Sequence, residues 1–263
     1  MTESRTHALL PGADLHLLKS TIADDEFEVS VTVLRIEVES RKRLPVVYVL
    51  DANLQFAMAA QTAWLMIFAR ELPEMIIVGI GHPVGSLLAD PSVAQKYSEA
   101  RRRHMEPIPV DPRQGQGAPD FLGFIRDELI PFVESTYPAD AADRTLFGRS
   151  LGGLFSLYVL FHYPEMFNRY IAGSPSLSGH GGVMHHHERE FATGRTSLPV
   201  KLFMSVASLE HHRVAVVEEM VETLKSRNYA GFDLTYDKFD GETHVSVVGH
   251  LLNRGLRAVF DDG

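Results

Sequence analysis

Along residues 14–36 apolar and polar residues alternate in two runs, the second carrying Phe27, Val29, Val31, Val33 and Ile36, with Ala23-Asp24-Asp25 as the turn between them. This period of two predicts two antiparallel edge strands. Residues 45–50 (Pro-Val-Val-Tyr-Val-Leu) and 75–80 (Met-Ile-Ile-Val-Gly-Ile) are instead unbroken apolar runs of strand length, and continuous apolarity implies burial on both faces. They read as strands of a parallel sheet, joined by a helix over 54–70. The rhythm then repeats: a short strand at Thr145-Leu-Phe147 and a helix over 151–162; a strand at Tyr170-Ile-Ala172; a strand over 200–206 and a helix over 214–226; a strand over 232–236 and a helix over 245–260. Repeated βα units predict an α/β fold, a mostly parallel, doubly wound sheet with helices on both faces.

Two segments interrupt this rhythm. Residues 82–118 are rich in Pro, Gly, Arg and Gln without sustained periodicity, and residues 174–197 contain Gly179-His-Gly-Gly182 and His185-His-His187. Both are too long for simple connections and are expected to be irregular loops that line a pocket. Asp120 is expected to cap a helix with Phe121, Phe124, Ile125, Leu129 and Phe132 on its apolar face and a kink at Pro131. No repeat or linker divides the chain, so residues 1–263 read as one domain.

Composition narrows the classes. With 263 residues, 45% hydrophobic and 22% charged, the chain can bury a large core, which excludes disordered, collagenous and coiled-coil protein. The net charge of −9 opposes nucleic acid and anionic lipid as general partners. Absence of cysteine removes disulfides, a thiolate nucleophile and Cys-ligated metal sites. The first residues lack a basic stretch followed by an apolar one, and no apolar run of about 18 residues occurs, so a cytoplasmic protein without membrane association is expected.

Gly148-Arg149-Ser150-Leu151-Gly152 matches the nucleophile-elbow pattern, in which glycines two before and two after the serine permit a tight turn from strand to helix. A plain βα turn with an incidental serine would also fit the bare pattern. Strand, elbow and helix nevertheless occur in the required order. A serine hydroxyl needs a base, and on this architecture acid and histidine follow the serine in the chain. His244 lies between the last strand and the last helix, whereas His250 falls inside that helix. Glu210 directly follows a strand, and Asp237 or Asp240 at the end of the next strand are the alternatives for the acid.

Beyond the elbow, Val47-Tyr-Val-Leu-Asp-Ala-Asn53, Arg101-Arg-Arg-His-Met-Glu-Pro107, the run from Phe121 to Pro131, Gly148 to Leu154, Ser174-Pro-Ser176 and Gly241-Glu-Thr-His244 stand in one order. In these blocks the chain resembles the esterase family of α/β-hydrolases that includes enterobactin-type siderophore esterases, S-formylglutathione hydrolase and the antigen 85 acyltransferases, most of all its siderophore-esterase branch. The resemblance implies an α/β-hydrolase fold and a serine esterase with Ser150 and His244 as catalytic pair, and it sets Glu210 at the acid position, with Ala207 where the family has glycine. It also implies an oxyanion hole from the backbone N–H groups of Leu151 and Asn53, and Leu151 opens a helix whose N-terminus favours negative charge. Asp51 and Asn53 would equally suit a helix N-cap.

The expected reaction is hydrolysis of a small-molecule ester or lactone, a siderophore trilactone among them, through an acyl-serine, with no metal or organic cofactor. An acyltransferase using the same triad and a non-enzymatic binding protein on a hydrolase scaffold are the rival readings, and the sequence assigns no oligomeric state. Arg101, Arg102 and Arg103, with Arg149 in the elbow, are candidates to meet an anionic substrate. His180 and His185 to His187 are expected to be solvated loop residues, because three consecutive histidines cannot all face one ion. His211 and His212 are expected on the surface at a helix start.

Overall fold

The computed structural model describes residues 12–36, 42–85, 87, 90–108, 117–179 and 182–261. Its eight strands are β1 (Ala13–Ser20), β2 (Asp25–Leu34), β3 (Leu44–Leu50), β4 (Met75–Gly81), β5 (Ala139–Arg149), β6 (Arg169–Gly173), β7 (Lys201–Ala207) and β8 (Asp233–Phe239). They form one sheet in the order β1-β2-β4-β3-β5-β6-β7-β8. β2 is antiparallel to both of its neighbours and every other pair is parallel, so β2 alone runs against the rest. The expectation of two edge strands is therefore corrected: β1 is the edge, while β2 lies inside the sheet with Phe27, Val29 and Val31 buried. Ile36 falls beyond β2 and is exposed.

The helices are α1 (Ala52–Phe68), α2 (Ala94–Met105), α3 (Ala118–Phe124), α4 (Ile130–Thr136), α5 (Leu151–His162), α6 (Val183–Ala192), α7 (His211–Ser226) and α8 (Val248–Phe260). The pleat divides β3 between two cores, with Val46, Tyr48 and Leu50 in one and Val47 and Val49 in the other. α1 and α8 cover the second core, and α3 to α7 contribute to the first. Both faces are thus dressed with helix, which is why β3 and β4 are apolar throughout. Among the described residues, no helix is long and apolar enough to cross a membrane.

The two segments expected to be irregular contain helices. α2 turns only Tyr97, Ala100, His104 and Met105 inward, a helical spacing in which hydropathy is muted by the histidine and the alanine. α6 buries Met184, Glu188 and Phe191, and the buried Glu188 carboxylate accepts two hydrogen bonds from Arg227, each 2.7 Å. His185 to His187 are therefore helical rather than part of a loop, and His187 shares a 3.1 Å hydrogen bond with His162. His180 and residues 86, 88–89 and 109–116 lie outside the described residues.

Asp120 is not the cap of its helix. α3 begins at Ala118 after Gly117, and Asp120 sits in its first turn. A π turn over Ile125–Leu129 separates α3 from α4, immediately before Pro131. The wider turn accommodates a ring that cannot donate a hydrogen bond and would crowd the carbonyl four residues earlier.

Candidate active site

Ser150 occupies the single residue between β5 and α5, with φ 60° and ψ −117°. Such a backbone costs about 1–3 kcal/mol and persists only where surrounding contacts fix it. Here the Ser150 N–H donates to the Gly173 carbonyl at 2.8 Å, and its own carbonyl accepts from Leu154 at 3.0 Å and Ser176 at 3.1 Å. Gly148 is required because a Cβ there would stand 2.1 Å from the Gly152 carbonyl oxygen. The Ser150 hydroxyl is half-buried, 3.3 Å from the Ser176 hydroxyl.

Glu210, at the N-terminal end of α7, and His244, in the turn before α8, meet directly, with His244 Nδ1 2.6 Å from Glu210 Oε1. An ionised carboxylate only accepts, so Nδ1 carries the proton and the lone pair is left on Nε2. The second Glu210 oxygen accepts from the Ser174 hydroxyl at 2.5 Å, and Arg213 Nε lies 3.0 Å from Oε1. Burial works to raise the Glu210 pKa, but hydrogen bonds from His244 and Ser174 outweigh it and hold the carboxyl below its ordinary range. Asp237 instead pairs with Arg254 at 3.1 Å, and Asp240 accepts from Ser208 at 3.3 Å. Of the three candidate acids, Glu210 is the one that holds the imidazole.

The His244 turn is itself fixed. The Thr243 hydroxyl accepts from the Ser246 N–H at 3.2 Å, delaying α8 to Val248 rather than the expected 245, and Arg149 Nη1 donates to the His244 carbonyl at 2.5 Å. His250, exposed on α8, pairs with Glu242 at 3.2 Å. His211 and His212 are exposed at the start of α7.

Asn53 and Leu151 both lie in first helical turns, where no carbonyl four residues earlier receives the N–H. The Asn53 side chain is locked to the end of β4, its Nδ2 donating to the His82 carbonyl at 2.9 Å and its Oδ1 accepting from the His82 N–H at 2.8 Å. Asp51 stands at the N-cap position with a left-handed backbone (φ 58°), but its side chain does not cap. Its carboxylate instead accepts from Arg101 at 2.5 and 2.7 Å and from the Tyr97 hydroxyl at 3.0 Å.

The three consecutive arginines of α2 do not form one patch, because successive helical residues point about 100° apart. Arg101 grips Asp51, Arg102 pairs with Glu106 at 2.8 Å, and Arg103 with Asp25 at 2.7 Å. Sequence reasoning gave no role to Arg213 or Tyr97. The position of Arg213 three residues after Glu210 at a helix start was the available signal. Among the described residues, no group of three or more His, Asp or Glu could hold a metal ion.

A half-buried serine on a strained turn, a carboxylate-bound imidazole and two first-turn amides can together support acyl transfer. Residues 26–234 match the family described as "Putative esterase". The chain belongs to this family. It is an ester hydrolase on an α/β-hydrolase fold. This esterase is 32% identical over 240 residues to the ferri-bacillibactin esterase of Bacillus subtilis, spanning 83% of this chain and 80% of the relative. It is 29% identical over 252 residues to the siderophore triacetylfusarinine C esterase of Aspergillus fumigatus, spanning 84% and 83%. The crystal structure of the BES protein from Bacillus cereus superposes with a TM-score of 0.84 at 26% identity, covering 99% of each chain.

Proposed function

We propose that this esterase hydrolyses siderophore esters, with Ser150 as nucleophile, His244 as general base and Glu210 as the group that orients the imidazole. The observation that carries the reading is the 2.6 Å contact between Glu210 and His244 Nδ1, which leaves Nε2 as the acceptor for the serine proton. The Ser150 oxygen attacks the ester carbonyl, and the amides of Leu151 and Asn53 receive the oxyanion. His244 returns the proton to the departing alcohol, then activates the water that releases the acyl group as a carboxylate. The relatives named for ferri-bacillibactin and triacetylfusarinine C support siderophores as the substrate class.

The test is turnover of both siderophores, with linear products read by mass spectrometry, in the wild type and Ser150→Ala. Loss on the order of 10⁶-fold in kcat is expected for Ser150→Ala, with folding unchanged. Residual activity above about 1% overturns the nucleophile assignment, because a loss of only about 100-fold falls far short of what removing the attacking oxygen costs. Turnover of simple esters but of neither siderophore overturns the substrate class.

A further inference from the structure

Three arginines and two carboxylates surround the ends of β3, β5 and β7, and their pairing is unequal. Arg101 holds Asp51 through both oxygens, and Arg213 lies 3.0 Å from Glu210. Each carboxylate is thereby matched by one cation. Arg149 remains. Its Nη1 donates to the neutral carbonyl of His244, its Nε is buried without a partner, and no carboxylate oxygen lies within 4 Å of it among the described residues. Burial pulls its pKa below the usual guanidinium value; Arg101 reinforces that pull, and the more distant charges of Asp51 and Glu210, with Tyr97, oppose it without overcoming it. A partly buried, unpaired charge is costly, and an anion arriving with substrate removes the cost.

The identity of that anion follows from the reaction. Hydrolysis breaks the acyl C–O bond, adds the elements of water and leaves one alcohol and one carboxylate. Opening a cyclic oligoester yields a linear chain that keeps its other ester bonds and carries a carboxylate at one end. A planar guanidinium fork is suited to receive a carboxylate through two parallel hydrogen bonds. Arg149 adjoins Ser150 in the chain and touches the turn of His244, so it stands beside the bond to be cut.

We propose that Arg149 is a substrate-binding residue that selects esters already carrying a free carboxylate, the class of linear oligoester left by a first ring opening. This rests on Ser150 being the nucleophile. It goes beyond that reading in assigning the enzyme a preference for the product of its own first step or of another ring-opening hydrolase.

The experiment compares kcat/KM for 3-(butanoyloxy)propanoate, whose carboxylate lies on the departing alcohol half as it does in a linear oligoester, with that for its primary amide, an ester with the same acyl chain and no charge. Wild type, Arg149→Met and Arg149→Lys are assayed at low and high salt. The wild type is expected to favour the anionic ester by about tenfold, with the preference falling at high salt. Arg149→Met is expected to bring the ratio to about one, and Arg149→Lys to retain part of it. Using a ratio cancels any loss of rate from releasing the His244 carbonyl. A wild-type ratio near one, or an unchanged ratio in Arg149→Met, overturns the proposal. So does an equal fall for both esters, which makes Arg149 only an anchor for the His244 turn. Neither probe is a siderophore, so failure here is separate from failure of the siderophore assay. Survival of both activities in Ser150→Ala would mark failure of the nucleophile instead.

Discussion

Glu210 Oε1 and His244 Nδ1 stand 2.6 Å apart, and the same carboxylate is held by Ser174 through Oε2 and by Arg213 Nε at 3.0 Å. The carboxylate is thus fixed before it fixes the imidazole. Glu210→Gln keeps the volume but presents a neutral amide to both Arg213 and the imidazole, so the tautomer with the proton on Nδ1 loses its support. A fall of about 10³–10⁴-fold in kcat is expected with little change in KM. Asp237→Asn and Asp240→Asn are expected to stay close to wild type. A larger loss from either of these would move the acid to β8.

Arg101 and Asp51 form a bidentate pair in which Asp51 is 3% exposed and Arg101 21%. Removing the cation leaves a buried carboxylate whose remaining side-chain hydrogen bond, among the described residues, is the one from Tyr97, at the N-cap position of α1. Arg101→Met is expected to destabilise the protein by about 3 kcal/mol, and the added change Asp51→Asn to recover much of that. Urea unfolding of the two variants measures it. No recovery in the double variant would mean that the packing of Arg101 matters more than its charge.

The strand, turn and helix around Ser150 were legible because apolar runs and glycine spacing encode backbone directly. The pairing of Glu210 with His244 was legible as one choice among three acids, since spacing along the chain says only which strand end each occupies. What decides the choice is the direction of side chains after the turn, and that depends on contacts from Ser174 and Arg213 that lie far off in sequence or carry no motif. α2 and α6 were hidden for another reason. Their inward faces use His104, Ala100 and Glu188, residues that hydropathy scores as polar or weak although the first and last are 2% and 1% exposed. The three arginines of α2 misled for a geometric reason, since adjacency in sequence becomes divergence on a helix.

Gly148 tests the elbow through shape alone. A Cβ there meets the Gly152 carbonyl oxygen at 2.1 Å, and backbone cannot yield as a side chain can. Gly148→Ala is expected to open the turn, with loss of nearly all activity and destabilisation of about 3 kcal/mol or more. Gly249, exposed in α8 with nothing within 4 Å of its would-be Cβ, is the control. Gly249→Ala is expected to stabilise by about 0.5–1 kcal/mol through helix propensity, with activity intact. Comparable effects at the two positions would remove the steric explanation.

His82 links acid stability to the support of Asn53. Its ring is 2% exposed, its Nε2 has no partner, and it stacks on His104 with centroids 5.2 Å apart and planes 15° from parallel. Burial first, and the neighbouring His104 second, push its pKa down to about 3 from the ordinary 6.5, while Asp51 and Asp25 pull weakly the other way. Between those values the unfolded chain binds a proton at His82 that the folded protein refuses. Stability therefore rises with pH through this window and is lost on acidification from about pH 6.5 towards 3, by up to about 1.4 kcal/mol per pH unit for one proton. Asp25, held at about 2 chiefly by His104, whose Nε2 lies 3.3 Å from Oδ2, in spite of burial, adds a further loss only below 3.8. His82→Phe keeps an aromatic ring and the backbone groups that bind Asn53, but has nothing to titrate. Urea midpoints taken from pH 7 to pH 4 are expected to fall less steeply in this variant, by close to one proton. Parallel slopes in the two proteins would show that His82 is protonated in the folded state and that its stack on His104 tolerates charge.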